Sequence, residues 1–267
     1  MGELLTLDAS EALYQEMLAH PELEERELIC DDDGGENFSA ALRSAINSGG
    51  GEPPEEWKTL HSAPENTTKD LPGGGKKLKA VKGMGTVYDW RDTNWMPPSG
   101  GRITARIGVQ HIPVIRNVDG IGDLVTLRNV IVAQGLALHQ GTDKEGNVAL
   151  YCPGNRLCYQ ARGANQISWG TENMHYDISE PWSKRQLRAS AWIVQLNNRH
   201  YGTGRGRASL GSGDGVVRVA RGGQTTHARV SAAAGYHDRS DPGKGYDFEY
   251  VDHCITYFER YGHFEGA

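Results

Sequence analysis

Apolar and polar residues alternate along several short stretches of this chain. RITARIGVQHIPV (102–114) alternates and then runs apolar, which predicts a buried strand ending near His111. NVALYC (147–152) and RLCYQA (156–161) predict a pair of strands around the turn PGN, and NQISWGTEN (165–173) predicts another strand. The strands are therefore predicted mainly between residues 102 and 173.

Helical periodicity separates and follows these strands. Residues 118–135 predict a helix that stops at Gly135. A longer amphipathic helix is predicted to start at Ser179 as its N-cap, with Pro181 in the first turn, and FEYVDHCITYFERYG (248–262) predicts a closing helix. Because strands and helices alternate, the predicted fold class is α/β, with a mixed central β-sheet flanked by helices.

The N-terminal part of the chain has a different composition. Residues 8–29 predict a helix, and ENFSAALRSAINSG (36–49) predicts a second, short one. A stretch rich in Gly, Pro and charge follows, as is typical of linkers. We therefore predict an acidic helical N-terminal segment at 1–48, a linker at 49–86 and a compact domain at 87–267.

The charge is unevenly distributed along the chain. The net charge is −6, but residues 1–60 carry 15 Asp/Glu and only 3 Lys/Arg. The remainder is mildly basic and would suit an anionic polymer, although its bases are dispersed and accompany no nucleic-acid recognition motif. Nucleic acid is therefore not expected as a partner, whereas residues 1–60 are a candidate contact for another protein.

Hydrophobic runs, targeting signals and cysteines bear on the expected location of the protein and the state of its thiols. The sequence has no run of 18 apolar residues and no signal-peptide pattern at its start, so neither a membrane span nor direct secretion is expected. Cys152 and Cys158 flank a turn and could pair, but without a secretory signal free buried thiols are expected.

Candidate metal ligands cluster in TTHARVSAAAGYHDRSDPGKGYDF (225–248). This stretch contains His227, His237 and Asp241. Taken singly, each has an ordinary alternative, because Asp-Pro-Gly is turn chemistry and an isolated histidine is most often a surface or core residue. The spacing alone does not decide between a polar loop and part of a metal site.

The order of features along the chain changes this assessment. A strand-end histidine, the piece ANQISWGTE (164–172), the TTHARV segment and DPGKGYDF (241–248) resemble zinc-dependent N-acetylmuramoyl-L-alanine amidases of the type-2 amidase family. That family includes peptidoglycan recognition proteins and many phage endolysins, and the resemblance is closest to the amidase domains of actinobacteriophage lysins. It covers residues 88–262. The chain departs from the family pattern at Ile112-Pro113, after the first ligand, and at Leu138, where the family has tyrosine.

The resemblance implies a set of site residues. It identifies His111, His227 and Asp241 as the ligands of a Zn²⁺ cofactor, which leaves a fourth tetrahedral position for water. His227 is preferred to His237 because a strand-end side chain is better fixed than one in a turn. The remaining expected roles concern catalysis and substrate binding: Glu172 as the acceptor of the water's proton, His237 or Arg239 as the group that steadies the oxyanion, and His139 and Asn165 as substrate-binding residues.

The implied function is hydrolysis of the amide bond between N-acetylmuramic acid and L-alanine in bacterial peptidoglycan. A phage lysin of this kind would be made in the bacterial cytoplasm without a signal peptide. It would reach the wall through holin- or virion-mediated delivery. The alternative is a catalytically inactive peptidoglycan-binding module, or a virion structural component, with the same fold.

Overall fold

A computed structural model describes residues 71–78, 81–113, 121–175, 177–213, 215–243 and 245–265. The two helices predicted before residue 49, and the linker up to residue 70, lie outside the described residues. The described part contains four α-helices and nine β-strands. The helices are α1 (Ile121–Ala133), α2 (Lys184–Tyr201), α3 (His227–Ala234) and α4 (Phe248–Tyr261). The strands are β1 (Lys76–Leu78), β2 (Val87–Asp89), β3 (Ile107–His111), β4 (Gln140–Thr142), β5 (Val148–Leu150), β6 (Ser168–Asn173), β7 (Ser209–Gly211), β8 (Arg218–Arg221) and β9 (Gly223–Thr226).

Seven of these strands form one mixed sheet, in the order β1-β2-β5-β4-β6-β3-β9. The block β4-β6-β3-β9 is parallel throughout, whereas β5 runs antiparallel to β4, and β1 antiparallel to β2. Strands β7 and β8 form a separate two-stranded sheet. The predicted mixed sheet flanked by helices is confirmed. None of the described helices is long and apolar enough to cross a membrane.

Hydrophobic side chains from both faces of the sheet hold the helices in place. Trp169 of β6 and Leu150 of β5 pack in one cluster with the apolar side of α2 and α4. On the other side, Tyr151 and Ala149 pack with residues of α1. A third cluster joins Ile107 and Val109 of β3 to α3 and the small sheet. Burial of these apolar surfaces on both faces explains why β3 is buried at every position.

Three predictions about secondary structure are wrong in detail. RLCYQA forms no strand, and β5 pairs instead with the upstream strand β4. The longer helix starts after Ser183, whose hydroxyl accepts a hydrogen bond from the backbone N–H of Gln186, so Ser183 and not Ser179 is the N-cap. The end of the predicted linker contributes β1, which pairs with β2 and extends the sheet by one strand.

The cysteine prediction is confirmed where the structure describes the chain. Cys152, Cys158 and Cys254 are buried free thiols. Cys152 and Cys158 both belong to the cluster that packs around α1. Cys30 lies outside the described residues.

Candidate metal centre

The ends of three neighbouring parallel strands bring the principal site residues together. His111 is the last residue of β3 and lies directly opposite Glu172 of β6 in the strand register. Thr226, the last residue of β9, lies opposite Gln110, so that the next residue, His227, follows at the same edge of the sheet. Carboxyl ends of parallel strands meet at one edge, which is where open α/β sheets commonly form their sites.

Asp241 reaches the same place from a turn. Its backbone carbonyl accepts a hydrogen bond from the N–H of Ala228 at 3.0 Å, which ties this turn to the first turn of α3. The hydroxyl of Thr226 caps that helix by accepting from the N–H of Arg229. His227 is the first helical residue, so the strand before it and the helix after it both constrain its side chain.

The ligand atoms of His111, His227 and Asp241 all lie within 4.8 Å of one another. Nδ1 of His111 is 3.1 Å from Nδ1 of His227 and 3.5 Å from Oδ2 of Asp241, and Nδ1 of His227 is 3.2 Å from Oδ1 of Asp241. Zinc bonds of about 2.1 Å at tetrahedral angles would separate neighbouring ligand atoms by about 3.4 Å. The three side chains therefore have the donor types and spacing that a tetrahedral zinc site requires.

The carboxyl group of Asp241 is suited to remain ionised there. Burial tends to raise its pKa, but the adjacent imidazoles of His227 and His111 hold that pKa well below its usual range. Metal ligands must be deprotonated, so a carboxyl group that loses its proton readily is a suitable ligand.

Glu172 lies next to this cluster but is not one of its three candidate ligands. Its Oε1 is 4.0 Å from Nδ1 of His111, and its Oε2 is buried with no hydrogen-bond partner among the described residues. Burial raises the pKa of Glu172 to about 7, Asp241 adds to this increase, and His111 and Arg239 oppose it. A carboxyl group with an unused acceptor atom and a pKa near neutrality has the properties of a general base.

The two candidates for the oxyanion group lie in different environments. His237 is exposed in the turn after α3, with a φ of 57°, and is not part of the metal cluster. Arg239 is half-buried, and its charge lowers the pKa of Glu172, so its guanidinium group lies near the site. This effect on Glu172 favours Arg239 over His237 as the positive group near the candidate metal centre.

His139 and Asn165, predicted as substrate-binding residues, are both buried in the structure. The ring of His139 is fully buried, with Nε2 2.8 Å from the carbonyl oxygen of Arg156 and Nδ1 accepting from the N–H of Gly170 at 3.0 Å. Oδ1 of Asn165 accepts from the N–H groups of Gln160 and Ala161 at 3.0 and 2.7 Å. Both side chains are engaged with the backbone that surrounds the site.

Gln160 is a site residue that the sequence analysis did not identify. Its Oε1 lies 2.6 Å from Nε2 of His111, on the side of the ring away from the cluster. It lies in a loop, within the segment RLCYQA that was predicted to be a strand. Two residues hold Gln160 in this position: Asn165 accepts a hydrogen bond from its backbone N–H, and Gly170 leaves room for its side chain.

Comparisons with known proteins found similarity in structure only. No protein-family model matches the sequence, and no curated protein matches it either. Similar solved structures include Staphylococcus aureus hydrolase AmiA in complex with its ligand (17% identity, TM-score 0.47, covering 71% of this chain and 90% of that one). They also include the endolysin N-acetylmuramoyl-L-alanine amidase LysCS from Clostridium intestinale URNW (16%, 0.43, 65% and 97%) and Drosophila PGRP-LB (15%, 0.44, 67% and 96%). At such low identities the comparisons assign no activity to this chain.

Proposed function

We propose that this protein is a zinc-dependent N-acetylmuramoyl-L-alanine amidase that cuts peptidoglycan. The observation that carries the proposal is the convergence of His111, His227 and Asp241 within 4.8 Å, next to the buried carboxyl group of Glu172. Two imidazoles and one carboxylate are the three protein ligands of a hydrolytic zinc site with an open position. The resemblance of DPGKGYDF and ANQISWGTE to the amidase family supplies the substrate class.

In the proposed reaction, water cleaves the bond between the lactyl carbonyl carbon and the alanine nitrogen. Zinc, when bound, lowers the pKa of water and polarises a carbonyl oxygen. Glu172 removes one proton from the attacking water as its oxygen bonds to the carbonyl carbon. It then gives that proton to the alanine nitrogen as the carbon–nitrogen bond breaks. The products are a free lactyl carboxyl group and a free amino group on L-alanine.

Arg239 is proposed to stabilise the negative charge that develops on the carbonyl oxygen. Its guanidinium group is always charged, and it lies close enough to Glu172 to lower the pKa of that residue. A fixed positive group aimed at the developing oxyanion is worth several kcal/mol in other acyl-transfer sites, on the order of 10²- to 10³-fold in rate.

The complete residue set favours an enzyme over an inactive peptidoglycan-binding module. All three candidate ligands and the candidate base are present and adjacent. We further propose the role of a phage lysin, made in the bacterial cytoplasm and delivered to the wall by a holin or a virion. Residues 1–60, with their excess of acidic groups, are proposed to contact a protein partner.

The test combines metal analysis with identification of the newly formed end groups. The purified full chain should contain about one zinc per molecule, and wall digestion should release amino groups that belong to alanine. Glycan-chain cleavage would instead create reducing ends, and peptide cleavage would expose a different amino acid. Glu172→Gln should reduce the rate at least about a hundredfold without loss of zinc, because it removes the proton acceptor and keeps the shape.

Glu249→Gln is the matched control, because it makes the same change of acid to amide at an exposed position on the first turn of α4. It should leave the rate unchanged. A wild-type protein that sediments with cell walls and releases no alanine amino groups would contradict the proposal and support the binding module. Full activity in Glu172→Gln would show that another residue is the base.

A further inference from the structure

The side-chain amide of Gln160 is held in one orientation by a chain of hydrogen bonds. The hydroxyl of Ser168 donates its only proton to the carbonyl oxygen of Ala164 at 2.8 Å. Ser168 can therefore only accept from Gln160, whose Nε2 lies 2.7 Å from that hydroxyl oxygen. The other end of the amide, the oxygen Oε1, is then the atom that faces His111.

The backbone and the neighbouring strand hold Gln160 at this position. Its N–H donates to Oδ1 of Asn165 at 3.0 Å. Its side chain lies across Gly170 of β6, where an added Cβ would come within 2.3 Å of Oε1. A side chain at position 170 would therefore displace the amide, and the absence of one allows the close approach to His111.

This geometry determines which nitrogen of His111 carries the proton. An amide oxygen can only accept, so at 2.6 Å from Oε1 the Nε2 atom of His111 must be the donor. In a neutral imidazole, Nδ1 then has a free electron pair. That pair points towards His227 and Asp241, because Nδ1 is the atom that lies 3.1 Å and 3.5 Å from their ligand atoms.

We propose that Gln160 is a positioning residue that sets the tautomer and ring orientation of His111 for metal binding, with Ser168 fixing the amide in turn. The inference rests on the proposed zinc site and extends it by two residues that do not touch the metal. Partners that orient a ligating histidine typically change metal affinity about 10- to 100-fold when they are removed.

The test measures zinc affinity of the full chain by competition with a chelator of known affinity. Gln160→Met keeps the length and removes the acceptor, so zinc affinity should fall about 10- to 100-fold. Gln160→Glu keeps an acceptor for His111 and should retain affinity within about threefold. Ser168→Ala frees the amide to rotate and should give a smaller loss than Gln160→Met. Gln166→Met is the matched control, since Gln166 is exposed in the same segment, and should have no effect.

A second measurement reports the tautomer directly and does not require metal. Nitrogen NMR of the zinc-free wild type should show His111 protonated at Nε2, and Gln160→Met should show a mixture of tautomers. A merely structural role would change the melting temperature of Gln160→Met without changing the tautomer.

Several outcomes would overturn the inference. One is wild-type His111 protonated at Nδ1, which remains measurable even if Gln160→Met does not fold. Another is unchanged zinc affinity in a folded Gln160→Met, and a third is equal losses in Gln160→Glu and Gln160→Met. A wild type that binds zinc and cuts no cell wall would refute the proposed activity alone, because affinity and tautomer are measured without substrate.

Discussion

Acidification should destabilise the fold through His139, and this can be measured separately from any role in the site. In the folded protein, Nδ1 of His139 accepts from the N–H of Gly170, so Nε2 carries the proton and donates to the carbonyl oxygen of Arg156. Protonation of Nδ1 would place its new N–H against the N–H of Gly170. Two donors would then face each other in a fully buried position, and their hydrogen bond would be lost. Burial accordingly lowers the pKa of His139 from 6.5 to about 4.

The sign and size of the effect follow from proton linkage. Above about pH 6.5 the ring is neutral in both the folded and the unfolded chain, so His139 adds no pH dependence. Between about pH 6.5 and pH 4 the unfolded chain binds a proton that the folded chain does not, so the free energy of unfolding falls as the pH falls. The slope approaches 1.4 kcal/mol per pH unit, and the loss at pH 5 is about 2 kcal/mol.

Denaturant unfolding of the metal-free protein at pH 7, 6 and 5 measures this slope. A chelator is present throughout, since metal binding also releases protons. His139→Gln should flatten the dependence by roughly 1.4 kcal/mol per pH unit below pH 6, whatever its stability at pH 7. His200→Gln, at an exposed position of α2, is the matched control and should keep the wild-type slope. Equal slopes in His139→Gln and wild type would refute the assignment of His139 as a buried neutral residue.

Three further predictions concern the ligands, the sheet and the N-terminal part. Asp241→Ala should lose zinc on dialysis, as measured by metal analysis, because two histidines alone bind the ion weakly; retained zinc would contradict the ligand assignment. Gly108→Ala should lower the free energy of unfolding by about 1–3 kcal/mol, because the new Cβ would meet the Trp169 ring at 2.1 Å, whereas Gly206→Ala, with open space, should be neutral. Removal of residues 1–70, a cut that spares β1, should leave a cooperatively folding, zinc-binding domain; loss of the thermal transition would show that the removed part belongs to the core.

Local patterns predicted the elements whose burial is regular along the chain. β3 was predicted to end near His111 from an alternating and then apolar run, and every position of this strand is buried. The closing helix predicted at 248–262 is α4. RLCYQA was wrongly predicted as a strand that pairs with β5 across the turn PGN, whereas β5 pairs with β2 and β4. Such pairing depends on contacts between distant segments, and alternation along one segment does not specify them.

The site was predictable only in part for the same reason. His111, His227 and Asp241 were identified through the family resemblance, and their approach depends on the parallel register of β3 and β9 and on the turn held by Ala228. Gln160 carries no recognisable motif. Its role depends on a glycine ten residues later that leaves room for its side chain, which is a property of the packed structure and not of the local sequence.

The two departures from the family pattern bear on whether the chain is an enzyme. Ile112, which follows the first candidate ligand, is buried, and Leu138 is buried in the cluster that surrounds α1. Neither removes a group from the set formed by the three candidate ligands and Glu172, and neither places a polar atom beside it. Both substitutions lie among buried residues and leave the three candidate ligands and Glu172 in place. Leu138, where the resemblance predicts a tyrosine, is therefore a core residue. The proton transfers proposed for Glu172 do not depend on either side chain.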